Sequence, residues 1–203
     1  RAELDAGEVR RELLAQASSA FGKLSCDEAV LLAHAAIAAR LAVDPVGTVD
    51  ITFYQRALGI LVLCAHNAGQ TGDARAAIHQ LRALSPARPP TVPANVWDHY
   101  PPVDATANWS LSLLRIASVP VGARVFVDFK EEGPTPLSVA VAPGEHLISV
   151  HASGRVGAVA RVTSEESRAA DVNVELVPPK PDRWRNVRRE AATWGALPPT
   201  AAS

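Results

Sequence analysis

Two hydrophobic rhythms divide this chain. Up to about residue 86, apolar side chains recur at three- and four-residue intervals, the spacing of one helical face. Leu4, Val9, Leu13, Leu14, Ala17 and Phe21 mark a first helix. Asp27 and Glu28 oppose the positive dipole end of a second. It runs through Leu31, Leu32, Ala35 and Ile37 to about Leu41, and Asp44-Pro45 stops it. Thr48 or Asp50 is placed to cap a third helix carrying Phe53, Leu58, Leu61, Val62 and Ala65. After a turn from Gly69 to Gly72, Asp73 opens a fourth, with Ala74, Ala77, Ile78 and Leu81 on one stripe, ended by Ser85-Pro86. Ala29, Ala33, Ala36, Ala65, Ala74 and Ala77 are small enough to let neighbouring helices approach closely.

From about residue 110 the period changes to two. Leu114 and Ile116 share a face, as do Val125, Val127 and Phe129, then Leu137, Val139 and Val141, then Ile148 and Val150. Val156, Ala158, Ala160 and Val162 form a fifth run, and Val172, Val174 and Leu176 a sixth. Intervening Arg124, Asp128, Ser149, Arg161, Asn173 and Glu175 predict sheets wet on one side. Strands this short bury enough surface only by packing two sheets face to face, so a small antiparallel β-sandwich is expected.

Between the halves, Pro86, Pro89, Pro90, Pro93, Pro101 and Pro102 argue against regular helix and for an extended connector. Val96, Trp97 and Tyr100 within it are too apolar for a bare linker. They predict a segment packed across one domain or the junction, holding the halves in a fixed relation. The organisation read this way is a helical domain at 1–86, a proline-rich connector at 87–109, a β-sandwich at 110–177 and a tail at 178–203. In the tail, Arg183, Arg185, Arg188 and Arg189 accompany Trp184 and Trp194, which suits a short amphipathic helix between proline stops. Such interleaving can mark nucleic-acid or anionic-surface binding. With so few charges, a tail docked on its own protein or on a partner is the preferred reading.

Two resemblances sharpen this picture. Leu58, Leu61, Ala65, Ala74, Ile78, Leu81 and Pro86 occupy positions that resemble the packing positions of one tetratricopeptide unit, and Asp27-Glu28-Ala29 with Asp44-Pro45 resembles a degenerate second copy. A plain four-helix bundle predicts the same periodicity. The β half resembles the PEGA domain. Pro120, Gly122 and Ala123 match its first turn, and Val125, Val127 and Asp128 the strand after it. Gly133, Thr135, Pro136 and Leu137 match the next turn, then Pro143, Gly144 and His146, with Gly154 closing the series. Phe129-Lys130-Glu131-Glu132 departs from the family's tight Asp-Gly turn, which predicts a longer, charged hairpin tip and a partner contact. These motif residues have folding roles of their own: Gly122, Gly144 and Gly154 can take positive φ, and Pro136 and Pro143 pre-set φ near strand ends. The resemblance implies residence in a bacterial envelope or periplasm.

Composition narrows function mostly by exclusion. A hydrophobic content of 48% supports real cores, and 20 basic against 21 acidic residues gives no bulk attraction for nucleic acid or anionic lipid. No apolar run approaches the length of a membrane span. The chain starts at Arg1 and holds no methionine, so a cleaved signal peptide or a longer parent chain is expected upstream. Cys26 and Cys64 fall on neighbouring helices; they are either a disulfide or two small buried apolar residues, and they lack the spacing of a metal site. His34, His66 and His79 fall on helices, and Cys64 and His66 point away from each other on theirs. His146, His151 and Asp128 are able to meet on the sheet, although strand histidines usually occupy a wet face. Asn108-Trp109-Ser110 is a glycosylation sequon, too common a pattern to carry weight.

With no phosphate loop, nucleophile elbow or zinc-protease motif, no catalytic residue, cofactor or metal is expected, and the chain reads as non-enzymatic. The expected role is a protein–protein scaffold in an envelope assembly, with Phe129, Lys130, Glu131, Glu132, Trp184, Arg185, Arg188 and Trp194 as candidate contacts. The alternative is a glycan- or peptidoglycan-binding module, for which Phe126 and Phe129 are the obvious aromatics.

Overall fold

The computed structural model describes residues 6–43, 51–102 and 111–179. Its helical part contains α1 (Ala6–Gly22), α2 (Cys26–Leu41), α3 (Ile51–Asn67) and α4 (Thr71–Leu84). Asp27, Glu28 and Asp73 do stand in first helical turns. The candidate caps Thr48 and Asp50, and the stop at Asp44-Pro45, lie outside the described residues. Ala29, Ala33, Ala36 and Ala74 are fully buried, forming the close seam between helices that their size predicts. That seam turns α2 away from the expected stripe: Leu31 is 71% exposed and Ala35 also faces outward. α3 is the central helix, with Tyr54, Leu58, Leu61, Val62 and Ala65 among its buried residues.

The proline-rich segment is not wholly extended. Ala94–His99 forms a short helix, α5, directly after Pro93. Proline there costs nothing, because an amide at a helix start has no intrahelical partner. Val92, Val96, Trp97 and Tyr100 are buried against the helices, as their apolar bulk predicts. The Arg82 guanidinium lies 4.4 Å from the centre of the Trp97 ring and donates to the Trp97 and Tyr100 carbonyls. The Tyr100 hydroxyl sits 3.0 Å from His66 Nδ1.

Among the described residues, seven strands follow: β1 (Ser112–Val119), β2 (Arg124–Val127), β3 (Lys130–Pro134), β4 (Leu137–Val141), β5 (Gly144–His151), β6 (Ala158–Ser164) and β7 (Ala169–Glu175). One sheet has the order β4-β1-β7 and the other β3-β2-β5-β6. Leu114, Ile116 and Val172 from the first sheet share a core with Val125, Val127, Ile148 and Val150 from the second. Three details depart from the expectation. β3, Lys-Glu-Glu-Gly-Pro, has no apolar alternation and was invisible to it. Val156 lies before β6 rather than in it. The β1–β7 pairing is parallel, because the last strand crosses from the second sheet to lie along the first; the other pairings are antiparallel.

Candidate functional site at the helix–sheet junction

The outer face of the four-stranded sheet is not wet. Residues on β5 from His146 to Val150 are all buried, so this strand is covered on both sides. Ile148 and Val150 face the core between the sheets, while Leu147, with Phe129 and the partly buried Val159, joins the core of the helices. Ser149, expected in water, is accordingly only 2% exposed. Backbones meet here as well. The Gly157 amide donates to the Ala42 carbonyl, just past α2, at 2.8 Å. A Cβ on Gly157 would stand 2.6 Å from the His151 ring and 2.9 Å from that carbonyl. Gly157→Ala is therefore expected to destabilise the protein by about 1–3 kcal/mol in urea unfolding, as overpacking of a closed contact does.

The β2–β3 hairpin is built differently from the expected long, charged tip. Asp128 and Phe129 form a two-residue turn with φ of 47° and 70°. This is the tight turn of the hairpin kind, with phenylalanine where glycine is usual. A side chain at such a φ is strained and persists only where its surroundings hold it. Here they do: the Phe129 ring meets Tyr54 of α3 edge-on, with centroids 5.1 Å apart. Phe129 thus faces its own helices. Lys130, Glu131 and Glu132 lie along β3, where Glu131 takes two hydrogen bonds from Arg124, at 2.7 and 2.8 Å. Arg124 holds the Glu131 carboxyl below its usual range. Lys130 reaches Glu132 at 3.0 Å. Phe126 is as buried as Phe129, so neither offers a stacking face to a sugar. Trp184, Arg185, Arg188 and Trp194, with Arg183 and Arg189, lie outside the described residues, as does Asn108-Trp109-Ser110.

Asp128 and His146 do meet, and His151 is not with them. His146 Nδ1 lies 2.6 Å from Asp128 Oδ2, and its Nε2 lies 2.7 Å from the Ala142 carbonyl. Asp128 Oδ1 accepts the Leu147 amide at 2.9 Å and the Gln80 side-chain amide of α4 at 3.3 Å. His79, also on α4, approaches Asp128 Oδ2 to 3.8 Å. Asp128 and His146 are each 5% exposed. His146 is in phase with Ile148 and Val150, a polar residue at a core position, and that was its signal in the sequence. Gln80 lies off the apolar stripe of α4, and nothing in the pattern singles it out.

A cleft of about 330 Å³ opens along the junction, between the Cys26–Cys64 end of the helices and Glu145 and Arg161 on the sheet. A second, of about 290 Å³, continues past His34 and Gln80 to Leu31, Ala35 and Val159, which explains where the outward face of α2 looks. A disulfide joins Cys26 to Cys64, with Cα atoms 5.4 Å apart, at the mouth of the first cleft. Arg161 crosses the groove, donating to His34 Nε2 at 2.9 Å and lying 3.7 Å from Glu145. Burial, then the Arg161 charge, push the His34 pKa down from 6.5 to about 4. The lone pair on His34 that receives Arg161 requires the neutral ring. A histidine with a lowered folded-state pKa contributes stability above its unfolded value and loses it as pH falls through the window from 6.5 to about 4. Thermal melts across that window are expected to drop more steeply for the native protein than for His34→Gln, whose amide oxygen still accepts Arg161 but does not titrate.

Residues 111–180 match the family model of the PEGA domain. PEGA domains typically occur in extracellular or periplasmic proteins. No curated protein matches the chain. Among the described residues, no helix is long and apolar enough to cross a membrane.

Proposed function

We propose that this PEGA-bearing chain is a non-enzymatic protein–protein interaction module of a bacterial envelope assembly, and that the groove at the helix–sheet junction receives an extended segment of its partner. The groove is the observation that carries the reading. It has apolar walls from Val30, Leu61 and Ala65, continued by Leu31, Ala35 and Val159, and a polar rim from Asp73, Glu145, Arg161 and His34. Apolar walls with a few fixed polar groups suit a polypeptide whose backbone and alternate side chains both need partners. The two sheets sharing one core support a β-sandwich of the PEGA kind.

The helices support a tetratricopeptide-like array. The α1–α2 and α3–α4 turns are built alike: Leu24 and Gly69 hold φ of 62° and 72°, and Ser25 and Gln70 donate back to Ala20 and Ala65. α1 packs on α2 and also on α3, the neighbour pattern of stacked hairpins. A disulfide persists in oxidising compartments, which supports a periplasmic or extracellular setting.

The test is capture of envelope proteins on the immobilised chain, set beside binding to purified peptidoglycan. Asp73→Lys and Arg161→Glu, which reverse charge on exposed rim positions, are expected to abolish capture of a defined protein while leaving the circular dichroism spectrum unchanged. Binding to peptidoglycan that ignores both substitutions would overturn the reading in favour of a glycan module.

A further inference from the structure

We propose that the buried Asp128–His146 pair is a proton-operated latch that fastens the helices onto the four-stranded sheet. A neutral imidazole has one N–H and one lone pair, whereas His146 faces an acceptor on each side: the Asp128 carboxylate at 2.6 Å and the Ala142 carbonyl at 2.7 Å. Only the imidazolium, with two N–H groups, satisfies both. Loss of its proton sets a lone pair against one of those oxygens and leaves the Asp128 charge buried without its counterion, which is costly.

Asp128 is where that cost reaches the helices. Its Oδ1 binds Gln80 of α4, itself 6% exposed, together with the Leu147 amide of β5. The residue after it, Phe129, sits against Tyr54 of α3 in a strained turn conformation. One carboxylate thereby fixes the turn to β5, ties β5 to α4 and aims Phe129 at α3. Freed from His146, the turn loses one of the anchors that, with the Tyr54 contact, hold Phe129 in its unfavourable φ.

The surroundings of the latch are consistent with a titrating switch. A cleft of about 290 Å³, lined by Asp73, Arg75 and His79 of α4 and by Glu145 and His146, gives solvent a route to the ring. Burial pushes His146 toward the neutral form, but the Asp128 hydrogen bond and charge, the Ala142 carbonyl and Glu145 outweigh it and raise its pKa. From α4, His79 faces Asp128 as a second, half-exposed imidazole, and Arg161 of β6 draws off part of the Glu145 charge. Because the folded-state pKa is raised, the stabilisation is complete below the unfolded value. It disappears as pH rises through the folded value. The latch therefore opens on the alkaline side.

The experiment follows the His146 ring nitrogens and the junction amides of the whole chain by NMR, from about pH 6 to about pH 9, which extends the ordinary histidine range of about pH 5–8 on its alkaline side. The expected result is a doubly protonated His146 at the acid end, titrating above the ordinary histidine range. Protection factors at the Leu147 and Gly157 amides, corrected for intrinsic exchange, are expected to fall several-fold in step with it. Gln80→Leu, which cuts the tie to α4 and leaves the ion pair and the Phe129–Tyr54 contact, is expected to keep the His146 titration and weaken the response of the Gly157 amide to it. A His146 ring singly protonated at the acid end would overturn the proposal. So would junction protection that stays level while His146 titrates, or Gly157 protection that follows His146 as steeply in Gln80→Leu as in the native protein.

Discussion

Replacing Asp128 with alanine is expected to destabilise the protein by about 3–5 kcal/mol, the usual cost of leaving one member of a buried ion pair without its partner. The carboxylate answers three donors at once: His146, the Leu147 amide and Gln80. Alanine also sits poorly at a φ of 47°, where the short polar side chain of aspartate is tolerated. Asp128→Asn keeps the turn preference and one acceptor while dropping the charge, so a smaller loss is expected from it. The double variant Asp128→Ala/His146→Leu should recover part of the stability, because the orphaned imidazolium is then gone. Urea unfolding of the native protein, Asp128→Ala, His146→Leu and the double variant makes a double-mutant cycle, which separates the pair's coupling from the loss of either residue alone.

Opening the Cys26–Cys64 disulfide is expected to have an effect of similar size. Closing a loop over a sequence separation of 38 residues restricts the unfolded chain by about 4 kcal/mol on the chain-entropy account. For a protein of this length that corresponds to a drop of roughly 10 °C in melting midpoint. The bond ties the start of α2 to the last turn of α3 at the mouth of the groove. Beyond stability, its loss should loosen that end of the groove first. A melt with and without reductant, repeated on Cys26→Ala/Cys64→Ala, measures the effect. Addition of reductant should leave the double variant unchanged.

The elements that could be read in advance are those that bury one face. Ala29, Ala33 and Ala36 announce a close helix seam by their size, and Val125, Val127, Ile148 and Val150 announce a sheet core by their phase. Places with two covered faces, or none, escaped that reading. β3 escaped because Lys-Glu-Glu-Gly-Pro has no buried face to mark it. A fixed relation of the two halves is expected from Val96, Trp97 and Tyr100, but the face of the sheet that takes the helices escaped because its residues look like noise in an alternating pattern. Leu147 beside Ile148 is the visible trace: adjacent apolar residues mean a strand covered on both sides. Phe129 misled for a related reason. Replacing the glycine of a tight turn with phenylalanine suggests a longer loop until Tyr54 is seen holding the ring. Gly157 gives no forewarning, since the approach of Ala42 that requires it comes from a distant part of the chain.

The helices and the sheet form one docked unit, and the Tyr54–Phe129 contact is where that is most directly measured. Ring centroids 5.1 Å apart predict strong nuclear Overhauser cross-peaks between the two aromatic side chains at about pH 6, where His146 carries its proton. Absence of those cross-peaks, with Phe129 ring signals at solvent-exposed positions, would contradict it.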